Sequence, residues 1–305
     1  MSLNCKTQNI KEDVKDFVNE FIDKLKSRKE VKAILLLGGL GKRSFMDEFS
    51  DIDISVVTTS KEKESFPLPF EFHVRHKDKI MEFNIHQLIV EEELDDNNRW
   101  NDSKIEAYSN AIIEYDPFDY AKKILKQNVV FDNKRAFNRL VWILQQYKWR
   151  GQIHSIRCYY RGCPQASHDL LNNCVELLLE AVYLLNERYV PHKKWEFIFL
   201  DELEYGCDLK SLFANAMLVK SFTFESILER IEVLDKIFKQ IEEMAYKKYK
   251  DFPSRPYEFY YRNFVQLNKV TKADEFYFEM TGKLDVENNK DELIFGKICY
   301  DVDKL

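Results

Sequence analysis

The sequence predicts an α+β fold in which a small mixed β-sheet domain, flanked by helices, is followed by an α-helical bundle. Three observations support this prediction. The chain has 305 residues, which exceeds the usual size of one domain. Short apolar runs separated by turn residues occupy its first third. Long stretches of helical periodicity dominate after residue 118. We therefore expect a first domain over residues 1–125 and a second over residues 126–305.

The first domain is predicted to open with an amphipathic helix that covers the sheet. Its apolar residues recur at helical spacing: Ile10, Val14, Phe17, Val18, Phe21, Ile22 and Leu25. The apolar runs 31–37 and 54–57 follow as two buried strands. Two more strands are expected over 69–76 and 79–90, and the alternation in the second places Glu82 on the face opposite the core.

From residue 118 onward the chain is predicted to be helical, in four segments whose apolar residues follow a helical period. These segments are 118–127, 132–150, 168–188 and 222–248. Residues 253–305 mix aromatic and charged side chains without a sustained period, so no element and no role is assigned to them.

Composition narrows the classes of function. Lys and Arg number 46 against 52 Asp and Glu, and the net charge of -6 argues against nucleic acid as a partner. No apolar run approaches the roughly 20 residues that span a bilayer, and no secretory signal opens the chain, so no membrane association is expected. The six cysteines lack paired CxxC spacing, and His73, His76 and His86 lack a second ligand cluster. Reduced thiols and a cytoplasmic location are therefore expected.

A glycine-rich turn follows the first predicted strand, in the sequence LLLGGLGKRSFMDEFSDIDISVV of residues 35–57. Glycine lets the backbone approach a ligand and point N–H groups at it, as at phosphate sites. The cationic residues Lys42 and Arg43 come next, and the Ser50 hydroxyl precedes the acidic residues. The residues predicted to bind the phosphates of a nucleoside triphosphate are Gly38, Gly39, Lys42 and Ser50.

Acidic residues follow this turn in a spacing that suits a metal. Asp51 and Asp53 are two residues apart on a predicted strand, so their side chains share one face. Glu82 would join them if its strand lies alongside at about 4.8 Å. Such oxygen ligands suit two Mg²⁺ ions and an in-line attack of a hydroxyl on an α-phosphate, so nucleotidyl transfer is the expected reaction. A plain turn would explain the glycines alone, and a strand cap would explain Asp51 and Asp53 alone. Neither explains the glycines, the two aspartates and Glu82 together.

The turn and the acidic residues resemble a known signature. Gly38-Gly39 followed by SDIDI at residues 50–54 is similar to the signature of the polymerase-beta-like nucleotidyltransferase superfamily. The first half of the chain looks like the antibiotic nucleotidyltransferases of the kanamycin type, with Gly39 where those enzymes usually have serine. The resemblance implies a catalytic and metal-binding set of Asp51, Asp53 and Glu82. It leaves the individual roles of Lys42, Arg43 and Ser44 unassigned.

The resemblance extends weakly into the helical half. The residues YKWR at 147–150 are similar to a stretch of the kanamycin enzyme, which implies that Lys148 is a phosphate ligand. That enzyme has a glutamate as general base just before this stretch, whereas Gln145 and Gln146 stand here and do not accept a proton usefully. Glu176, one turn before Glu180 on a predicted helix, is a substitute candidate, although such a pair is more often a solvated face.

Two classes of function remain open at this point. The leading hypothesis is an enzyme that transfers AMP from Mg²⁺-bound ATP to a hydroxyl of a small acceptor, with an aminoglycoside-like polycation as an example that suits the acidic balance. The alternatives are transfer to protein or RNA and a non-catalytic, antitoxin-like regulator that binds a nucleotide. Gln145 and Gln146 motivate the second alternative. Neither a monomer nor a homodimer is favoured.

Overall fold

The structure is a computed structural model that describes residues 11–42, 50–62, 71–76 and 79–253. Arg43, Ser44 and residues 254–305 lie outside the described residues. The chain divides into two compact units. The first unit is Met1–Trp100 with Lys104–Val130, and the second is Asn101–Ser103 with Phe131–Leu305. The predicted boundary lies after residue 125.

The first unit is built on a five-stranded mixed sheet, as the sequence predicts. Its described elements are α1 (Lys11–Lys26), β1 (Ala33–Leu36), β2 (Ile52–Thr58), β3 (Glu71–His76), β4 (Lys79–Ile89), α2 (Val90–Glu93), α3 (Asp102–Ser109), β5 (Ile112–Tyr115) and α4 (Tyr120–Asn128). The strand order is β3-β4-β2-β1-β5. The four predicted strands and the opening helix are therefore confirmed, with ends that differ by a few residues.

The pairing of the strands decides which loop residues come together. β2 and β4 are parallel, with Asp53 opposite Asn84, and the other neighbouring pairs are antiparallel. Leu36 at the end of β1 lies opposite Ile54 near the start of β2. The residues that follow β1, the residues that precede β2 and the first half of β4 consequently meet at one end of the sheet.

The core of this unit lies between α1 and one face of the sheet. Val18, Ile22 and Leu25, at helical spacing on α1, are buried in one cluster with the alternate residues of the central strands. Those strand residues are Ile52, Ile54, Val56, Met81, Phe83 and Ile85. Each buried aliphatic side chain of this kind contributes about 1.5–3 kcal/mol. The intervening residues of β2 and β4 must therefore point to the other face.

Three elements of this unit are not predicted by the sequence: the short α2, β5 and α3. β5 has only four residues and Ile113 is exposed, so its segment shows neither an apolar run nor a clear alternation. α3 has eight residues and buries Ile105, Glu106 and Tyr108, a mixed set that weakens its helical period. Pairing with β1 gives β5 the backbone hydrogen bonds that its local pattern does not predict.

The second unit is helical in its described part. Its elements are α5 (Asn133–Gln146), a π-helix (Tyr147–His154), α6 (Ser155–Tyr160), α7 (Pro164–Leu185), short 3-10 turns (Phe199–Glu202 and Cys207–Leu209), α8 (Lys210–Met217) and α9 (Phe224–Lys248). Asp132 caps α5 by accepting a hydrogen bond from the Arg135 backbone N–H at 2.9 Å. Pro164 begins α7, where its missing N–H costs nothing. The predicted helices at 132–150, 168–188 and 222–248 are thus confirmed, while α6 and α8 were not predicted.

The predicted helix over 132–150 changes its winding near its end. From Tyr147 the backbone continues as a π-helix, and the Tyr147 ring is fully buried, stacked on Phe238 with ring centroids 5.0 Å apart. Its hydroxyl donates to the Asp235 carboxylate at 2.6 Å. π-helical turns are rare and recur at functional sites.

The described residues bear on the expectations for membrane helices and for cysteines. None of the helices in the described ranges is long and apolar enough to cross a membrane. Cys158, Cys163, Cys174 and Cys207 carry free thiols.

Candidate functional site

The two aspartates of the predicted site stand at one end of the sheet. Asp51 directly precedes β2 and Asp53 is its second residue, and both side chains are half-buried. Their neighbours Ile52 and Ile54 are buried in the core against α1. Asp51 and Asp53 therefore project together from the opposite face of the sheet, as the sequence predicts.

The glycine turn touches this pair directly. Gly38 has a φ of +51°, in the left-handed region that side chains disfavour. A Cβ atom at this position would lie 2.2 Å from Oδ2 of Asp53. The backbone N–H of Leu37 also donates to the Asp53 carbonyl oxygen at 3.0 Å. The exposed backbone of Gly38 thus forms one wall beside the carboxylate.

We expect Gly38→Ala to reduce both stability and ligand binding. The left-handed conformation costs an alanine about 1–2 kcal/mol, and the new methyl group would displace the Asp53 carboxylate. Thermal unfolding and titration of nucleotide with Mg²⁺ measure the two effects. Gly162→Ala is the matched control, since Gly162 has a φ of +81° but no atom lies within 4 Å of a Cβ added there. Equal nucleotide binding by both variants would contradict the role of Gly38.

The loop after α3 holds the other end of the glycine turn. A Cβ on Gly41 would lie 2.5 Å from the Asn110 carbonyl oxygen, which also accepts a hydrogen bond from the Lys42 backbone N–H at 2.7 Å. The Lys42 ammonium donates to the Ser109 carbonyl oxygen at 3.1 Å and is exposed. Lys42 is therefore held near the turn, and its predicted phosphate contact stays a prediction. Gly39 in the turn and Ser50 directly before Asp51 are both half-buried.

A residue that the sequence did not single out connects the two aspartates. Asn84, opposite Asp53 in the parallel pair, donates from Nδ2 to Asp51 Oδ2 at 3.3 Å and to Asp53 Oδ1 at 3.4 Å. An asparagine does not by itself indicate a functional role, so the residue type carries no signal. Only the register of β2 and β4, which the sequence does not reveal, could have identified it.

Glu82, the predicted third acid, lies on the same strand but is directed to another neighbour. Its carboxylate is 3.8 Å from Nε2 of His73, its cross-strand partner on β3, and 43% of the Glu82 side chain is exposed. Across the part of the chain that the structure describes, no three His, Cys, Asp or Glu side chains are grouped to hold a metal. Glu82 as a metal ligand stays a prediction.

The donor set of this site suits magnesium on chemical grounds. Oxygens of Asp51 and Asp53 approach one atom, the Asn84 amide nitrogen, whose hydrogens carry partial positive charge. Two carboxylates that both lie close to one positively polarised group are also placed to bind one cation together. Mg²⁺ is usually bound through one or two carboxylates together with phosphates and water, so a pair without a third acid is sufficient.

A buried polar contact lies next to Asp53 on the same face of the sheet. Ser55, two residues after Asp53 on the same face, shares a hydrogen bond of 2.5 Å with the Tyr108 hydroxyl. Burial raises the pKa of Tyr108 far above its usual range, with smaller effects from the Ser55 hydrogen bond and from the charges of Glu93 and Asp53. Tyr108 therefore stays a neutral hydroxyl at every physiological pH.

The remaining predicted residues lie in the second unit. Lys148 is on the π-helix, where its ammonium is 4.0 Å from Glu242 and 5.1 Å from the centre of the Phe238 ring. Its side chain is 47% exposed, so a ligand can reach it. The role of Lys148 as a phosphate ligand stays a prediction.

The glutamines at the expected position of the base, and the glutamates considered in their place, each have a specific partner in the structure. Gln145 and Gln146 are buried, and Gln146 Nε2 donates to Gln145 Oε1 at 2.7 Å. Glu176 forms an exposed ion pair with Lys193. Glu180 instead accepts two hydrogen bonds from the Arg139 guanidinium, at 2.7 and 2.8 Å.

A different carboxyl of the second unit titrates near neutral pH. Burial raises the pKa of Glu196 to about 7; Lys193 partly offsets this, and the charges of Glu176 and Glu180 add to it. Glu196 follows α7, and the sequence did not single it out. A carboxyl of this kind can exchange a proton at physiological pH.

The titration of Glu196 predicts a pH dependence of stability. Its pKa in the folded protein, about 7, is above the ordinary value of 4.5, so its protonated form is favoured by folding. Its contribution to stability is full below pH 4.5 and is lost as the pH rises through 7. We expect the melting temperature of Glu196→Gln to rise relative to wild type across this range. Glu204→Gln, at an exposed position, is the control, and parallel pH profiles for wild type and Glu196→Gln would contradict the prediction.

Comparisons with known proteins leave the family of the chain open. No family model matches the sequence, and no curated protein matches it. Among the solved structures similar to the chain is a nucleotidyltransferase-like protein from Exiguobacterium sibiricum 255-15. It is 14% identical over 96% of this chain and 92% of that chain, with a TM-score of 0.42. A similarity of this size says nothing about function.

Proposed function

We propose that the protein transfers a nucleoside monophosphate from a nucleoside triphosphate, with ATP as the expected donor, to a hydroxyl of a small acceptor. The observation that supports this proposal is the convergence of Asp51 and Asp53 on one point, beside the exposed backbone of Gly38. Paired carboxylates for a metal and a glycine wall for phosphates are the two parts that nucleotidyl transfer requires.

The proposed reaction is a single in-line displacement. The oxygen of the acceptor hydroxyl forms a bond to the α-phosphorus, and the bond from that phosphorus to the oxygen bridging to the β-phosphate breaks. Pyrophosphate leaves with the electron pair, and the hydroxyl proton passes to a base. Asp51 and Asp53 would hold the metal, and oxygens of the phosphates and of water would supply its other ligands. Gly38, Gly39 and Ser50 would position the triphosphate beside them.

Magnesium, when bound, supplies neutralisation of the charge on the leaving pyrophosphate and lowers the pKa of the acceptor hydroxyl. The chain's own contribution is to fix two carboxylates at the start of a strand and to keep side chains away from the phosphate path at Gly38. A site on regular strands holds its geometry better than a site on loops.

The resemblance and the composition add further parts to the proposal. Lys148, which the resemblance proposes as a phosphate ligand, has an accessible ammonium group. A net charge of -6 suits a neutral or cationic acceptor, of which an aminoglycoside-like polycation is one class, better than nucleic acid. The cysteine pattern and the nucleotide substrate both suit the cytoplasm.

A second candidate function is a non-catalytic regulator that binds a nucleotide. Gln145 and Gln146 favour it, since they stand where the resemblance expects a base and are hydrogen-bonded to each other in the interior. The intact pair of Asp51 and Asp53 favours the enzyme.

Titration calorimetry with ATP, GTP, CTP and UTP, each with and without Mg²⁺, tests the proposal on the full chain. Binding of one nucleotide that requires Mg²⁺ supports the site and names the donor. An acceptor panel with α-labelled donor then measures transfer and pyrophosphate release. Binding without transfer to any hydroxyl, small molecule, protein or RNA favours the regulator. Failure to bind any of the four nucleotides overturns both functions.

A further inference from the structure

The Asn84 side chain is placed between the two predicted metal ligands. Its amide nitrogen is 3.3 Å from Asp51 Oδ2 and 3.4 Å from Asp53 Oδ1, so one group contacts both carboxylates. We propose that Asn84 is the positioning residue of the site: it sets the orientation of Asp51 and Asp53 and thereby the affinity for the metal. This inference rests on the proposed function and names the part of β4 that serves it.

Electrostatics explain why a donor is needed at this place. Two carboxylates that share one face repel each other, and both are half-buried, where the repulsion is stronger than in water. The amide group of Asn84 offers two N–H donors, one for each carboxylate. It therefore holds the pair together before a cation arrives, without the charge that a lysine would add.

The register makes this placement rigid. Asp53 and Asn84 are directly paired on adjacent parallel strands, and the first pair of this ladder is Ile52 with Phe83. Glu82 lies before that first pair and faces His73 on the other side of β4. Of these two residues of β4, Asn84 is the one that contacts both aspartates.

The neutral amide has a consequence for how metal binds. With two carboxylates and no third charge, the site holds few of the charged ligands that give tight metal binding. The phosphates of the nucleotide must supply the rest, so the metal and the triphosphate should bind together. Free Mn²⁺, a spectroscopic substitute for Mg²⁺, should bind weakly alone and more tightly when nucleotide is present.

Binding of Mn²⁺ to the full chain, followed by electron paramagnetic resonance, tests the inference without any assay of activity. We expect Asn84→Leu, which keeps the size but loses both donors, to weaken Mn²⁺ binding by about 10-fold or more, the usual loss when a partner of metal ligands is removed. Asn84→Gln, which keeps the amide, should bind more tightly than Asn84→Leu. Asn84→Asp should bind free Mn²⁺ more tightly than wild type, because it adds a third negative charge.

Matched variants separate positioning from a general effect on the strand. Gln87→Leu removes another amide of β4, one that donates to Thr58 Oγ1 at 2.8 Å, and should leave Mn²⁺ affinity unchanged. Thermal unfolding of each variant reports stability separately. A residue with a structural role alone would change the melting temperature and leave the affinity of the folded protein for Mn²⁺ as it was.

The outcomes distinguish this inference from the proposed function. Mn²⁺ binding that is lost in Asp51→Asn but equal in Asn84→Leu and wild type overturns the role of Asn84 and leaves the proposed function standing. A wild type that binds neither Mn²⁺ nor nucleotide overturns both. Loss in Asn84→Leu with recovery in Asn84→Gln supports both.

Discussion

We expect the double variant Asp51→Asn, Asp53→Asn to lose magnesium-dependent binding of the nucleoside triphosphate. Removing a partner of metal ligands costs about 10- to 100-fold in metal affinity, so removing both ligand charges should cost on the order of 100-fold or more. Stability should be retained or slightly increased, because the variant removes the repulsion between two carboxylates on one face. Titration calorimetry with Mg²⁺ and the preferred nucleotide measures the binding, and thermal unfolding measures the stability.

A control variant separates the site from the loss of charge. Asp16→Asn with Asp23→Asn removes the same two charges from the exposed side of α1, which packs on the other face of the sheet. It should bind nucleotide as the wild type does. If the variant of Asp51 and Asp53 binds equally well, the acidic pair has no part in nucleotide binding and the catalytic interpretation fails.

The second large effect is expected at the contact of α5 with α7. Arg139 is 8% exposed and forms a bidentate pair with Glu180, from Nε to Oε1 at 2.7 Å and from Nη2 to Oε2 at 2.8 Å. Glu180→Leu would leave the Arg139 charge in the interior without this partner. The free energy of unfolding should fall by about 3–5 kcal/mol, the usual cost of removing one member of a buried pair. Chemical denaturation measures this loss.

The partner of the pair provides a test of the cause. Combining Glu180→Leu with Arg139→Met removes both charges, and much of the lost stability should return, because an apolar pair can replace a buried ion pair. Asp169→Asn, an exposed change on α7, is the control and should be nearly neutral. A loss at Glu180 no larger than that of the control would mean that water screens the pair as it screens a surface contact.

The sequence by itself determined the elements with strong local patterns. The helical spacing of Val18, Ile22 and Leu25 predicts α1, and the apolar run closed by Gly38 predicts β1 and its turn. Such patterns reflect burial along a single element, so they can be detected without knowing its neighbours. The shared face of Asp51 and Asp53 follows in the same way from the two-residue period of a strand.

Only the tertiary structure decided which residues lie next to these elements and their side chains. The parallel register of β2 with β4 placed Asn84 beside both aspartates, and the pairing of β4 with β3 placed Glu82 opposite His73. The mutual hydrogen bond of Gln145 and Gln146 and the raised pKa of Glu196 likewise depend on groups brought close by folding. A period along one strand does not specify its register against another, because register depends on contacts between residues that are distant in the sequence. The shared face of the two aspartates was therefore readable from the chain, whereas the residues that lie beside them were not.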